Sequence, residues 1–189
     1  MKQGVASNNE LLVWMDLEMT GLNPITDIIL EVACVVTTAD LVPVVDKLSW
    51  VVKPTSGAFN QMSAEVTSMH EKSGLLAACA QADLTIEQIE AELIATLTQV
   101  IAPGVSPLCG NTISKDRQFI ERYMPNFNAL LHYRHVDVST LKILAHLWHK
   151  LPQYVKPEGR HRALDDIHAS IAELKYYRDQ WLNQDIIND

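Results

Sequence analysis

Apolar positions change their period along this 189-residue chain, and each change marks a different kind of element. Leu11–Leu17 is apolar on both parities, Ile28–Thr38 is rich in β-branched residues, and Leu48–Lys53 forms a third such run. These patterns predict strands. Gly21, Asn23 and Pro24 mark the first connection and Ala39-Asp40 the second, and links this short favour antiparallel pairing.

Helical spacing then takes over. Ile86, Ile89, Leu93, Leu97 and Val100 recur at steps of 3, 4, 4 and 3, one face of an amphipathic helix. Thr85 and Gln88 form a capping-box start, and Pro103-Gly104 ends the helix. Val105–Cys109 reads as a short buried strand, and Gly110-Asn111 turns into a helix from about Ser114 to Tyr123, stopped before Pro125. Val136–Val138 reads as a strand, Ser139 as the cap of a helix reaching Lys150, and Leu151–Arg160 as a Pro/Gly-containing loop. A last helix carries Leu164, Ile167, Ile171 and Leu174 at steps of 3, 4 and 3. Three strands followed by alternating strands and helices predict one α/β domain, a mixed sheet covered by helices.

Composition narrows the choice of function. Fifteen basic against 23 acidic residues give a net charge of −8, which argues against gripping long nucleic acid by counterion release. The charge is uneven: residues 1–109 carry 4 basic and 13 acidic side chains, and residues 110–178 carry 11 and 7. No apolar run approaches a membrane span, and residues 1–10 lack the apolar core of an export signal. Cys34, Cys79 and Cys109 lie far apart without a CxxC pair, which fits reduced thiols in a cytoplasmic protein.

Three clusters offer chemistry. In the first strand Leu12, Trp14, Asp16 and Glu18 share one face, so two carboxylates stand side by side at the end of a strand with apolar residues on both faces. Such a pair needs cations or a raised pKa. Asp116 falls in the first turn of a helix, where an acid complements the helix dipole. His161-Arg162-Ala163-Leu164-Asp165-Asp166 stands where a Pro/Gly loop meets the last helix, and a histidine there suits proton transfer. Spacing alone leaves Asp165 and Asp166 equivalent. The H-x-x-H pairs at 132–135 and 146–149 lack the cysteines or tight finger of a zinc site, no glycine-rich loop cradles a triphosphate, and no Ser or Cys sits in a nucleophile elbow.

Taken together, Asp16-Leu-Glu18-Met-Thr-Gly-Leu22, Gly110-Asn-Thr-Ile-Ser-Lys-Asp116 and His161-Arg-Ala-Leu-Asp-Asp166 resemble the three motifs of DEDDh 3′–5′ exonucleases, and most closely the oligoribonuclease family. His70–Leu75, His132-Tyr133-Arg134 and Val136–Lys142 add to the likeness, which runs from about residue 11 to about 179. The resemblance implies a ribonuclease-H-like mixed five-stranded sheet flanked by helices, forming a single exonuclease domain over 11–180, with a flexible segment at 1–10 and a tail at 181–189. It implies that Asp16, Glu18, Asp116 and Asp166 hold two divalent ions, Mg²⁺ or Mn²⁺, with His161 as general base. The resemblance selects Asp166 over Asp165.

The implied substrate is short single-stranded RNA, degraded 3′ to 5′ to mononucleotides down to the dinucleotide. By motif position Leu22 would wedge against the bases and His70 approach the nucleotide. Ser139 and Thr140 would contact the 5′ phosphate, with Tyr133 and Arg134 supplied by the second subunit of a homodimer. A ligand this small needs no extended basic groove, which reconciles the substrate with the acidic total. Where many relatives place a Trp five residues before His70, this chain has Glu65. An exonuclease trimming DNA or structured-RNA 3′ ends is the alternative within the same motif set. A catalytically idle binding domain is a further one, disfavoured because all five catalytic positions are filled.

Overall fold

The computed structural model describes residues 11–60, 62–149, 151–156 and 162–182. Strands β1 (Leu12–Met19), β2 (Ile29–Thr37) and β3 (Pro43–Val51) form an antiparallel meander, and β4 (Leu108–Gly110) and β5 (His135–Asp137) add in parallel. The order β3-β2-β1-β4-β5 places β1 at the centre of a five-stranded mixed sheet.

Alternation along β1 feeds two apolar layers. Leu11, Val13, Met15 and Leu17 pack with Ile89, Leu93 and Leu97 of α3 (Ile86–Leu97), Phe119 and Ile120 of α4 (Ser114–Tyr123), and Phe127 of α5 (Pro125–Leu130). On the opposite face Trp14, Ala33 and Val35 meet Val138 of α6 (Val138–Leu144) and Ile167, Ile171, Leu174 and Tyr177 of α7 (Ala163–Tyr177). A strand buried on both faces has little room for charge, so its carboxylates are confined to its C-terminal end. Two shorter helices, α1 (Ala64–Lys72) and α2 (Leu75–Cys79), follow β3, and Leu75 and Cys79 cover Leu30. All three cysteines are free and buried, as expected. No helix among the described residues is long and apolar enough to cross a membrane.

Several boundaries differ from the sequence expectation. The third strand starts at Pro43 rather than Leu48, because it is an edge strand whose alternate residues face solvent and mask its length. The short strand before Gly110 is confined to Leu108–Gly110. Pro125, read as a stop, opens α5 as an N1 residue, where its missing N–H costs nothing. Ser139 is not a helix cap: Asp137 caps α6 by accepting the Ser139 N–H at 2.9 Å, and the Ser139 hydroxyl turns toward Asn111 instead. The following helix is α-helical only to Leu144 and continues as a π-helical turn over Ala145–His149.

Candidate active site

The C-terminal end of β1 carries Asp16 and Glu18, and the first turn of α7 brings Asp166 beside them. One carboxylate oxygen from each lies within 4.8 Å of the others. Asp116, in the first turn of α4, reaches the same strand from the other flank and accepts the Leu17 N–H at 3.1 Å. Asp165 is exposed, so of the two neighbouring acids it is Asp166 that faces the cluster.

Burial and mutual repulsion dominate the electrostatics. Burial, followed by the charges of Asp116, Glu18 and Asp166, holds Asp16 well above the usual carboxylate range. Burial and then the Asp166 charge push Glu18 up to about 8, and burial raises Asp116 to about 7. The Lys156 ammonium, 3.8 Å from Asp166 Oδ1, acts in the opposite direction on Asp16. Carboxylates gathered this closely and this poorly hydrated form a donor set that a hard cation compensates. The residues therefore fit divalent metal binding.

Of the remaining sequence candidates, His70 packs against the end of β1. Leu22 is 65% exposed at the tip of the loop after β1. That loop is tied by Asp27, whose carboxylate accepts from Thr20 Oγ1 at 3.1 Å and the Asn23 amide at 2.9 Å. A Cβ on Gly21 would lie 2.6 Å from the same carboxylate, so the loop requires glycine there. His70 is fully buried beneath the strand end: Nε2 lies 2.9 Å from the Met19 carbonyl, and Nδ1, without a hydrogen-bond partner, faces Glu18 Oε2 at 3.8 Å. Glu65 is exposed in the first turn of α1.

Farther out, Ser139 Oγ donates to Asn111 Oδ1 at 3.0 Å and accepts from the Thr112 amide at 3.0 Å, while Thr140 is exposed. Thr112 takes φ 53°, costly for a β-branched residue, and its amide is pinned by Asp137 as well as Ser139. Tyr133 is 73% exposed, stacked on His132 at 4.4 Å, with the Arg134 guanidinium 5.4 Å from its ring. These two residues are not part of the carboxylate cluster of their own chain. His161 lies outside the described residues, one position before Arg162.

Sequence reasoning passed over the partners that build this geometry: Glu31, which holds Arg162, Asn111, which links Ser139 to α7, and Lys156. Glu31 did leave a signal, a lone acid inside an apolar strand, which has to find a buried partner.

Comparison with known proteins supports the same picture. Residues 13–174 match the Exonuclease (RNase T) family. The oligoribonuclease of Bordetella pertussis is 46% identical over 181 residues, covering 94% of this chain and 99% of that protein. That of Nitrosomonas europaea is 43% identical over 180 residues, covering 95% and 99%. Among solved structures, the zinc-bound form of an E. coli exonuclease I–ssDNA complex superposes with a TM-score of 0.71 at 14% identity, over 92% of this chain. Exonuclease I from Methylocaldum szegediense gives 0.67 at 19% identity, over 92% of this chain. The present chain spans 41% of either exonuclease I chain, so they share its fold, the ribonuclease-H-like sheet expected from the sequence. A domain-long family match and near-complete coverage of curated relatives lead to one assignment: this chain belongs to the oligoribonuclease family of exonucleases.

Proposed function

We propose that this chain is a metal-dependent 3′–5′ exoribonuclease that hydrolyses oligoribonucleotides of a few residues, down to dinucleotides, to 5′-mononucleotides. One observation carries the reading: three carboxylates from β1 and α7 within 4.8 Å, with Asp116 behind them. Asp16, Glu18, Asp116 and Asp166 would hold two divalent cations, and their all-oxygen character suits Mg²⁺ or Mn²⁺. Such cations, when bound, neutralise phosphodiester charge and lower the pKa of a coordinated water. The catalytic unit is the single domain over residues 11–180.

The chain supplies the rest. His161, two positions before α7, takes the proton of the attacking water. Leu22 offers an apolar surface to the bases from a glycine-dependent loop. His70 is assigned to the nucleotide end of the site by motif position, and its buried Nδ1 faces Glu18 Oε2 at 3.8 Å. Ser139 and Thr140 contact the 5′ phosphate, which stops a longer chain from passing through. Tyr133 and Arg134, both exposed, serve the site of a second subunit. Arg134 has the geometry for bidentate phosphate contact. The exposed apolar residues Ile143, Leu147 and Trp148 suit a homodimer contact. The setting is cytoplasmic.

The test compares a 5′-phosphorylated diribonucleotide, a longer RNA and a DNA oligomer under Mg²⁺, Mn²⁺ and chelator. Fast hydrolysis of the diribonucleotide, abolished by chelator, is expected. A preference for DNA would move the chain to the 3′-end-trimming alternative, and cleavage that survives chelation would reject the metal site.

A further inference from the structure

Glu31 stands in the middle of an otherwise apolar strand, 1% exposed, directly across from Glu18 in the antiparallel register. Its carboxylate has no access to water, so its partners define its role. Arg162 Nε donates to both carboxylate oxygens at 3.0 Å, and Arg162 Nη2 to Oε1 at 2.6 Å. The Ala163 amide donates to Oε2 at 3.2 Å, and the Ser49 hydroxyl to Oε1 at 3.3 Å.

These contacts converge on the start of α7. Arg162 is the N-cap of that helix, yet its side chain makes no capping bond to it. An acid from a neighbouring strand caps the helix instead, on the favourable end of its dipole. The Asp166 amide donates to the Arg162 carbonyl at 3.1 Å, so Asp166 sits one turn beyond the clamped residue. His161 is bonded to its other side.

We infer that Glu31 is a positioning residue for catalysis: by gripping Arg162 and the Ala163 amide it sets where α7 begins, and so where Asp166 stands relative to Asp16 and Glu18. This rests on the exonuclease reading of the site. Only the Glu31 side of the pair is buried, 1% exposed against 30% for Arg162, and sinking a carboxylate into a strand is a poor device for stability alone, since an apolar side chain of similar volume serves as well or better. What an apolar pair cannot supply is direction. A bidentate guanidinium–carboxylate fork fixes both distance and angle, joining residues 131 positions apart in sequence.

The test uses Glu31→Gln, Glu31→Asp and Arg162→Lys in the full chain. Three measurements are made: kcat and KM on a diribonucleotide, Mn²⁺ binding followed by electron paramagnetic resonance without substrate, and amide exchange over residues 162–170. Glu31→Gln should lower kcat roughly 10- to 100-fold, the scale of an ångström-sized misplacement, with KM nearly unchanged. It should also weaken Mn²⁺ binding several-fold and speed exchange in the first turn of α7 ahead of the rest of the fold. Glu31→Asp, which keeps the charge, should recover part of kcat. If Glu31→Gln does not fold, Arg162→Lys, which keeps the charge but loses the fork, should show the same kcat-weighted loss.

Wild-type kcat, Mn²⁺ affinity and exchange in folded Glu31→Gln or Arg162→Lys would overturn the clamp. So would a kcat loss that vanishes when each variant is assayed equally far below its own Tm. Wild-type protein without chelator-sensitive hydrolysis would overturn the functional reading instead, while Mn²⁺ binding and local exchange would still judge the clamp.

Discussion

The charges at the end of β1 make the folded protein hold protons that its unfolded chain releases. Glu18 is raised from 4.5 to about 8 and Asp116 from 3.8 to about 7. Raised carboxyl pKa values contribute stability that is fully present below about pH 4 and is lost as pH rises through about 7 and 8. The ion-free protein should therefore melt lower at pH 8.5 than at pH 6, and saturating Mn²⁺ should reverse the loss by binding only the folded state. Asp16→Asn removes one of the repelling charges. In chelator at pH 8.5 it should melt above wild type by roughly 2–4 °C, equivalent to about 1 kcal/mol, yet lose most of the Mn²⁺-induced rise. A calorimetric scan of both proteins, with and without metal, checks each sign. His161→Ala should leave Mn²⁺ affinity near wild type and cut turnover by roughly 10²- to 10⁴-fold, and single-turnover assays at saturating metal measure it. At this scale the sequence was informative where period alone suffices: Asp16 and Glu18 share a face because strands alternate. Spacing was silent on Asp166 against Asp165, because only packing decides which of two adjacent helix acids turns toward β1, and it was the motif resemblance that selected Asp166.

Among the elements, legibility depended on whether the stabilising contacts were local. α3 was readable because its apolar stripe and the Thr85–Gln88 capping box lie within its own residues. α5 is six residues long and takes its cap from another helix: Glu90 of α3, 6% exposed, accepts the Phe127 amide at 2.8 Å and the Asn126 side-chain amide at 3.3 Å. No local pattern announces a bond that spans 37 positions. Glu90→Ala leaves a buried N–H without a partner, and should cost about 1–3 kcal/mol. The denaturant midpoint should fall at unchanged m-value, with kcat close to wild type because Glu90 makes no contact with the carboxylate cluster. The turn from β4 into α4 follows the same logic. A Cβ on Gly110 would meet Ile113 Cδ1 at 2.8 Å and the Met15 carbonyl at 3.0 Å, so the strand beside Asp16 and the helix holding Asp116 are brought together by the lack of a side chain.

Across the whole molecule, the sequence pattern conveyed a mixed sheet between helices and antiparallel pairing of its first three strands, but not where β4 and β5 join. Parallel addition of β4 and β5 beside β1 places Asp116 and the Ser139 segment at the same end of the sheet. The proposed homodimer would likewise be a property of the surface. Trp148 is 65% exposed beside Leu147, with Trp181 edge-on to it at 6.1 Å. Trp148→Glu should shift the protein to monomer in light scattering and lower activity on the diribonucleotide, and if activity depends on Tyr133 and Arg134 of a partner, mixing with a metal-site variant should restore part of it.

The three clustered acids and Asp116 behind them are contributed by residues 16, 18, 166 and 116, and Asp166 needs α7 to pack on the sheet. While the chain is still being synthesised, a tethered intermediate can therefore present Asp16, Glu18 and Asp116 but not the complete set. On the proposed metal site, RNA hydrolysis would thus wait until α7 has emerged and docked, a temporal safeguard that follows from chain order.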